Sequence, residues 1–70
     1  MTHRIQIYNR VDDGLQTLYA EMDVETHGRV VAAQESRCAV FVSVYARLDP
    51  NGPLAPRVLR GDLIVRVEPI

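Results

Sequence analysis

The residues of this sequence that could carry out nucleophilic or acid–base chemistry are few and widely separated. They are two histidines, one cysteine and two serines: His3, His27, Cys38, Ser36 and Ser43. Nucleophilic catalysis requires a nucleophile, a base and an orienting acid that converge in space. None of these residues lies in a glycine-framed turn that would expose a nucleophile, so the sequence predicts no catalytic residue and no enzymatic activity.

Metal and cofactor sites are equally unsupported. Structural zinc takes four cysteine or histidine ligands in close pairs, whereas this chain has three such residues, far apart in sequence. The simplest interpretation makes His3 a terminal residue, His27 a turn residue and Cys38 a small buried hydrophobe. The four glycines are spaced as turn residues, not as a phosphate-binding loop. We therefore expect neither a metal nor a cofactor.

Length and composition indicate one small domain covering residues 1–70. The 47% hydrophobic content is that of a folded chain. The single cysteine cannot close an intrachain disulfide, and the longest apolar run, residues 38–42, is too short to cross a membrane. All eight basic residues are arginine, which fits a GC-rich genome. These features predict a cytoplasmic protein of a bacterial host, with no membrane association.

The dipeptide Asp13-Gly14 is the strongest local signal in the chain. Asp-Gly between alternating segments is typical of a two-residue β-hairpin loop, in which both central residues take positive φ. Such a loop would place Ile7 opposite Ala20 and Ile5 opposite Met22. On this hypothesis Gly14→Val should destabilise the protein.

A helix over residues 12–26 competes with the second strand of that hairpin. Leu15, Leu18, Tyr19 and Met22 fit helical spacing. Strict alternation over residues 18–25 favours the strand, because the hairpin explains two segments at once.

The remaining elements are also predicted as strands. His27-Gly28 predicts a second tight turn, residues 38–48 a strand rich in β-branched residues, and residues 49–53 a loop. Residues 63–67 form the last strand, with Gly61 marking a bend before it. The expected fold is all-β: a five-stranded antiparallel meander that curls into a barrel or an open sandwich. The alternative is an α+β fold with one helix at residues 12–26.

An acidic stripe is the first candidate for protein binding. In the hairpin hypothesis Glu21, Asp23 and Glu25 line one side of a strand beside Tyr19. These residues could dock on a basic partner surface. The alternative is an ordinary solvated face, since alternating charge is common on the exposed side of an antiparallel sheet.

Self-association is predicted at the final strand. An incompletely closed sheet leaves strand edges with unpaired backbone groups. The expected contact residues are Leu63, Ile64, Val65 and Arg66, with Leu63 and Val65 facing inward and Ile64 outward. The simplest product is a two-fold homodimer.

Nucleic-acid binding is the weaker alternative. It would use five arginines in the second half of the chain: Arg37, Arg47, Arg57, Arg60 and Arg66. A net charge of −1 and a pI of about 6.0 lack the basic character usual for such proteins.

The sequence therefore favours a non-enzymatic protein-binding module. We expect a small bacterial or phage accessory protein that binds a larger partner stoichiometrically, as an inhibitor or regulator of the anti-defence or anti-CRISPR type. The alternatives are a structural subunit of a self-associating or phage assembly and a weak nucleic-acid-binding domain.

Overall fold

The computed structural model describes residues 1–70 as five β-strands, one α-helix and one short 3-10 helix. In chain order the elements are β1 (Thr2–Asn9), β2 (Gly14–Glu21), α1 (Val24–Ser36), β3 (Phe41–Arg47), β4 (Ala55–Arg60), the 3-10 helix (Gly61–Leu63) and β5 (Ile64–Pro69). All strand pairs are antiparallel, in the order β4-β3-β2-β1-β5. The predicted five-stranded antiparallel sheet is confirmed, and it is open.

The hairpin of β1 and β2 is present, but its predicted register is wrong by four residues, since Ile7 pairs with Gln16 and not with Ala20. Asn9 pairs with Gly14, so the loop contains the four residues 10–13. Asp13 takes the positive φ, 51°, and Gly14 does not. The backbone N–H of Val11 donates to the side-chain oxygen of Asn9 at 2.9 Å, which stabilises the longer loop. Because the shift is an even number of residues, each side chain stays on its predicted face.

The predicted tight turn at His27-Gly28 is wrong, since α1 occupies this segment. Asp23 caps the helix: its side chain accepts the backbone N–H of Thr26 at 2.7 Å, and its own backbone is extended. The helix ends at Arg37, which has a φ of 53°. The alternative helix over residues 12–26 is also wrong, because most of that segment forms β2.

Aliphatic side chains form the whole core, which lies between α1 and one face of the sheet. We call this side of the sheet the inner face. Twelve of 70 residues are buried, so the core is small. Its main cluster comprises Ile5, Leu18, Ala20, Met22, Val30, Val44, Ala46, Leu59 and Ile64.

Gly61 allows the chain to pass directly under α1. A Cβ atom added at this position would lie 2.4 Å from the carbonyl oxygen of Ala33. The N–H of Gly61 also donates to the carbonyl oxygen of Val40 at 2.7 Å. The predicted bend at Gly61 is therefore a point of close backbone approach, where a larger residue does not fit.

The sheet curls so that its two edges approach each other. Only the three residues of the 3-10 helix separate β4 from β5, which lie at opposite edges of the strand order. A link of this length spans at most about 14 Å. β2 and β3 share only three residue pairs, Tyr19↔Arg47 to Glu21↔Tyr45. The sheet therefore has two parts, one made of β1, β2 and β5 and the other of β3 and β4, and only the three residue pairs between β2 and β3 join them.

The last strand is an edge strand, as predicted, but the facing of its first two residues, Ile64 and Val65, is reversed, whereas Val67 packs against the core. Ile64 is buried at 6% exposure, whereas Val65 is 48% exposed. The register against β1 shifts between Gln6 and Ile7, which produces this change of face. Leu63 precedes the strand as the last residue of the 3-10 helix.

Candidate protein-binding face

Strand alternation assigns all four aromatic residues to the side of the sheet opposite α1, which we call the outer face, and Phe41, at the start of β3, also borders a groove against α1. The four residues are Tyr8, Tyr19, Phe41 and Tyr45. Their neighbours in the strands, such as Leu18 and Val44, are buried on the inner face, so alternation directs the rings outward. Aromatic residues normally supply much of a core, and here the core has none.

An apolar patch occupies the outer face of β3 and β4. The β3–β4 patch consists of Phe41, Tyr45, Pro56 and Val58. Phe41 is 66% exposed, Tyr45 60% and Val58 66%. Tyr45 pairs directly with Pro56, and Val58 pairs with Ser43 between the two rings. Four adjacent apolar side chains are therefore exposed with no element of the chain covering them.

Ion pairs lie on the β2 side of this patch, while its other side is the edge of the sheet at β4. Nη1 of Arg47 lies 3.6 Å from the carboxylate of Glu21. Farther along the face, Arg4 donates to Glu68 from Nε at 2.9 Å and from Nη2 at 2.7 Å. These pairs give the outer face both signs of charge beside its apolar centre.

A third pair ties Arg60 to the 3-10 helix. Its Nε lies 2.8 Å from Oδ1 of Asp62, without the alignment of a hydrogen bond. Arg66, which is exposed on β5, has no ion-pair partner.

The four residues predicted to bind a protein partner do not form one stripe. Tyr19 and Glu21 lie on the outer face of β2, Asp23 is the N-cap of α1, and Glu25 is in the first helical turn. The placement on one strand is wrong because β2 ends at Glu21 and the cap turns the chain into the helix. Glu21 and Asp23 still line one shallow depression together with Tyr45.

Two of these carboxylates already have partners within the chain. The hydroxyl of Thr2 donates to Glu21, and this hydrogen bond holds the pKa of Glu21 below its usual value. The N–H of Thr26 does the same for the pKa of Asp23. Both carboxylates therefore stay ionised in mildly acidic solution, with part of their hydrogen-bonding capacity used internally.

Tyr8 is held at the far end of the outer face. Its hydroxyl donates to the carboxylate of Asp13 in the β1–β2 loop, and this hydrogen bond raises the pKa of Tyr8. The ring is thereby fixed against the loop and separated from the β3–β4 patch.

The residues with nucleophilic or metal-binding chemistry are placed differently from expectation. His3 is buried in β1 and stacks on His27 of α1, with ring centroids 4.5 Å apart, so neither residue has its predicted role. Cys38 is exposed, not buried. The structure brings no three histidine, cysteine or acidic side chains together as a metal site. The helix is neither long nor apolar enough to span a bilayer.

The five arginines proposed for nucleic-acid binding are dispersed. Arg37 ends α1, Arg57 belongs to the inward-facing set of β4, and the other three, Arg47, Arg60 and Arg66, lie on the outer face. No single basic surface collects them.

The sequence reasoning missed the β3–β4 patch, although a signal for it was present. Residues 41–47 alternate between Phe41, Ser43 and Tyr45 on one side and valines or alanine on the other. Assigning the valines to the core implies that both rings face outward. That consequence identifies the patch from the sequence alone.

No protein-family model matches the chain, and no curated protein or solved structure matches it significantly. Its function must therefore be argued from its own surface.

Proposed function

We propose that this chain is a non-enzymatic protein-binding module that docks on a larger partner through its outer sheet face. The observation that carries the proposal is the outward placement of every aromatic ring. The β3–β4 patch forms the centre of the contact, and Tyr19 with the Glu21–Arg47 pair forms part of its rim. In biological terms this is a small cytoplasmic accessory protein of bacteria or phage, acting as a stoichiometric inhibitor or regulator.

The composition of the face supports a protein partner. Interface centres are enriched in aromatic residues and arginine, and the outer face carries both. Binding energy concentrates in a few central aromatic residues that become fully desolvated. Phe41 and Tyr45 have that position, with Val58 between them across the strand pair.

The charges specify the partner's surface. Since Arg47, Arg4 and Arg60 each have a carboxylate neighbour, the outer face is close to neutral. Its partner therefore presents an apolar concavity with hydrogen-bonding groups at the rim. A strongly basic partner would instead depend on Glu25, the one acidic-stripe residue without an internal contact.

Single-stranded nucleic acid is the second candidate, because bases stack on aromatic side chains of β-sheets flanked by arginine. The neutralised arginines argue against it. Fluorescence anisotropy with labelled oligo-dT and oligo-U at low salt separates the two functions. Micromolar binding that weakens steeply with salt would establish the nucleic-acid function instead.

The homodimer proposed at β5 is a separate contact. Of its predicted residues, Val65 and Arg66 are exposed at the sheet edge, while Ile64 is buried. Light scattering behind a sizing column measures the mass of the protein in solution, and a dimer would have twice the chain's mass of 7.9 kDa. A constant monomer mass at high concentration would remove this proposal without affecting the outer face.

Site-specific photo-cross-linking tests the proposed function. A photoreactive side chain replaces Tyr45 in one variant and Val11, a loop residue that is 92% exposed, in the control. In host cells, the variant at position 45 should form one dominant protein adduct that the control lacks. Identical adducts at both positions, or adducts only at position 11, would contradict an outer-face interface.

A further inference from the structure

A cavity on the inner face of the sheet is lined by no residue of α1. It has a volume of about 270 Å³ and opens between β4 and the β1–β2 hairpin. Six of its nine lining residues are apolar: Ile7, Leu18, Leu48, Val58, Leu59 and Leu63. Val58 at the sheet edge belongs to both this lining and the β3–β4 patch, and the other lining residues lie outside the patch.

Arg57 gives this cavity its chemical character. In β4, Arg57 alternates with its direct neighbours and shares a face with Ala55 and the buried Leu59, so its side chain is on the inner face. Its Nε atom is buried and has no hydrogen-bond partner. No carboxylate of the chain forms an ion pair with Arg57. Protein atoms close the Nε atom to any ligand, so the donors of Arg57 that remain accessible are its two Nη nitrogens, which have no partner in the chain.

The rest of the lining offers no counter-charge. The other polar lining residues are Gln16 and Arg60, and Arg60 is already paired with Asp62 at 2.8 Å. The cavity is therefore apolar with one unmatched cation. Its missing component is an anion that carries an aliphatic group.

We propose that this cavity binds a small aliphatic carboxylate, with the carboxylate accepting hydrogen bonds from Arg57 and the alkyl chain packed against Leu59 and Leu63. A planar carboxylate matches the fork of a guanidinium. The volume lies near the lower limit for ligand pockets, which restricts the ligand to a chain of about eight carbons.

Octanoate is the probe for this site. In an amide chemical-shift titration, octanoate should give saturable shifts at Leu48, Leu59 and Leu63. Octylamine, which has the same chain with the opposite charge, should bind at least tenfold more weakly. Butanoate should also bind more weakly, since it has less apolar surface to bury. Equal binding of octylamine and octanoate would overturn the proposal.

Two arginine variants separate this site from general charge effects. Arg57→Gln should weaken octanoate binding at least tenfold, whereas Arg66→Gln, at an exposed arginine on the outer face, should leave it unchanged. Unchanged binding in folded Arg57→Gln would overturn the assignment.

A third variant serves if Arg57→Gln does not fold. Leu48→Trp, at a lining position that is 51% exposed, should fill the cavity and abolish binding. Undiminished octanoate binding in this variant would place the ligand elsewhere.

Discussion

The two faces of this sheet divide the hydrophobic residues by type. The core between the inner face and α1 contains no phenylalanine, tyrosine or tryptophan, and just two large side chains, Ile5 and Val30, are fully buried. The outer face carries every aromatic ring. Aromatic side chains bury the most area of any residue type, so the chain leaves its largest potential contributors to stability in contact with solvent. Residues that do not stabilise the fold are expected to serve another role, and the role we propose for them is binding.

The two faces should differ most in how much stability is lost when one large side chain is replaced by a small one. Ile5→Ala removes a fully buried side chain and should cost about 2–5 kcal/mol in the free energy of unfolding. Tyr45→Ser should change it by no more than about 0.5 kcal/mol. Urea denaturation measures both. A comparable loss in Tyr45→Ser would mean that the outer rings support the fold, and the contrast between the faces would fail.

A pair of glycines tests the contact between α1 and the inner face. Gly61→Ala forces a methyl group against the Ala33 carbonyl and should destabilise the protein by about 1–3 kcal/mol. Gly28→Ala is the matched control. It meets no atom within 4 Å in the middle of the helix, and it should stabilise the protein by about 1 kcal/mol. Thermal unfolding should show shifts of opposite sign, and a neutral Gly61→Ala would show that α1 is not held as described.

Low pH should weaken the N-terminal cap of α1, at the point where β2 ends and the helix begins. The folded state lowers the pKa of Asp23. Stability from this cap is therefore present above the ordinary carboxyl range and is lost as pH falls through it. We expect the melting temperature to fall less between about pH 5 and pH 2 in Asp23→Asn, which caps without titrating.

Asp23→Ala is the control for this pH dependence. It removes the cap and should lower the melting temperature at neutral pH, where Asp23→Asn changes it little. Parallel pH profiles for the wild type and Asp23→Asn would contradict the role of the ionised cap.

The smallest effect is expected in the β1–β2 loop. Gly14 has no positive φ, and an added Cβ would lie 3.9 Å from its nearest neighbour, the Asp12 carbonyl oxygen. Gly14→Val should therefore change stability by less than about 0.5 kcal/mol, in contrast to the expectation from a two-residue turn. A loss of more than about 1 kcal/mol in urea denaturation would favour that tighter turn.

The sequence predicts strands well where apolar alternation is continuous. β1, β2, β3 and β5 and their antiparallel arrangement follow from this alternation, whereas β4 was not predicted and the strand expected after His27-Gly28 is part of α1. The same rule fails at residues 24–36, because valines there also match strand periodicity. The signal for the helix is Asp23 followed three residues later by the Thr26 N–H that it caps, and such a cap is recognisable only once the end of β2 is known.

Site placement was less predictable than the fold. Tyr19 and Glu21 were placed on the exposed side of a strand, where they are found, but Asp23 and Glu25 moved to the helix with the capping turn. The facing of Ile64 depends on a register shift against β1, which no local pattern encodes. The burial of His3 against His27 depends on the packing of α1, which brings together residues distant in sequence.

The affinity of the partner for variants of the outer face, compared with a variant in the β1–β2 loop, tests the central claim most directly. With the protein identified by cross-linking at position 45, isothermal titration calorimetry compares wild type, Phe41→Ser, Tyr45→Ser and the control Val11→Ser. Loss of a central aromatic contact should weaken binding at least about 30-fold, with Val11→Ser unchanged. Wild-type affinity in both aromatic variants, with native circular dichroism spectra, would contradict the assignment of the outer face as the binding surface.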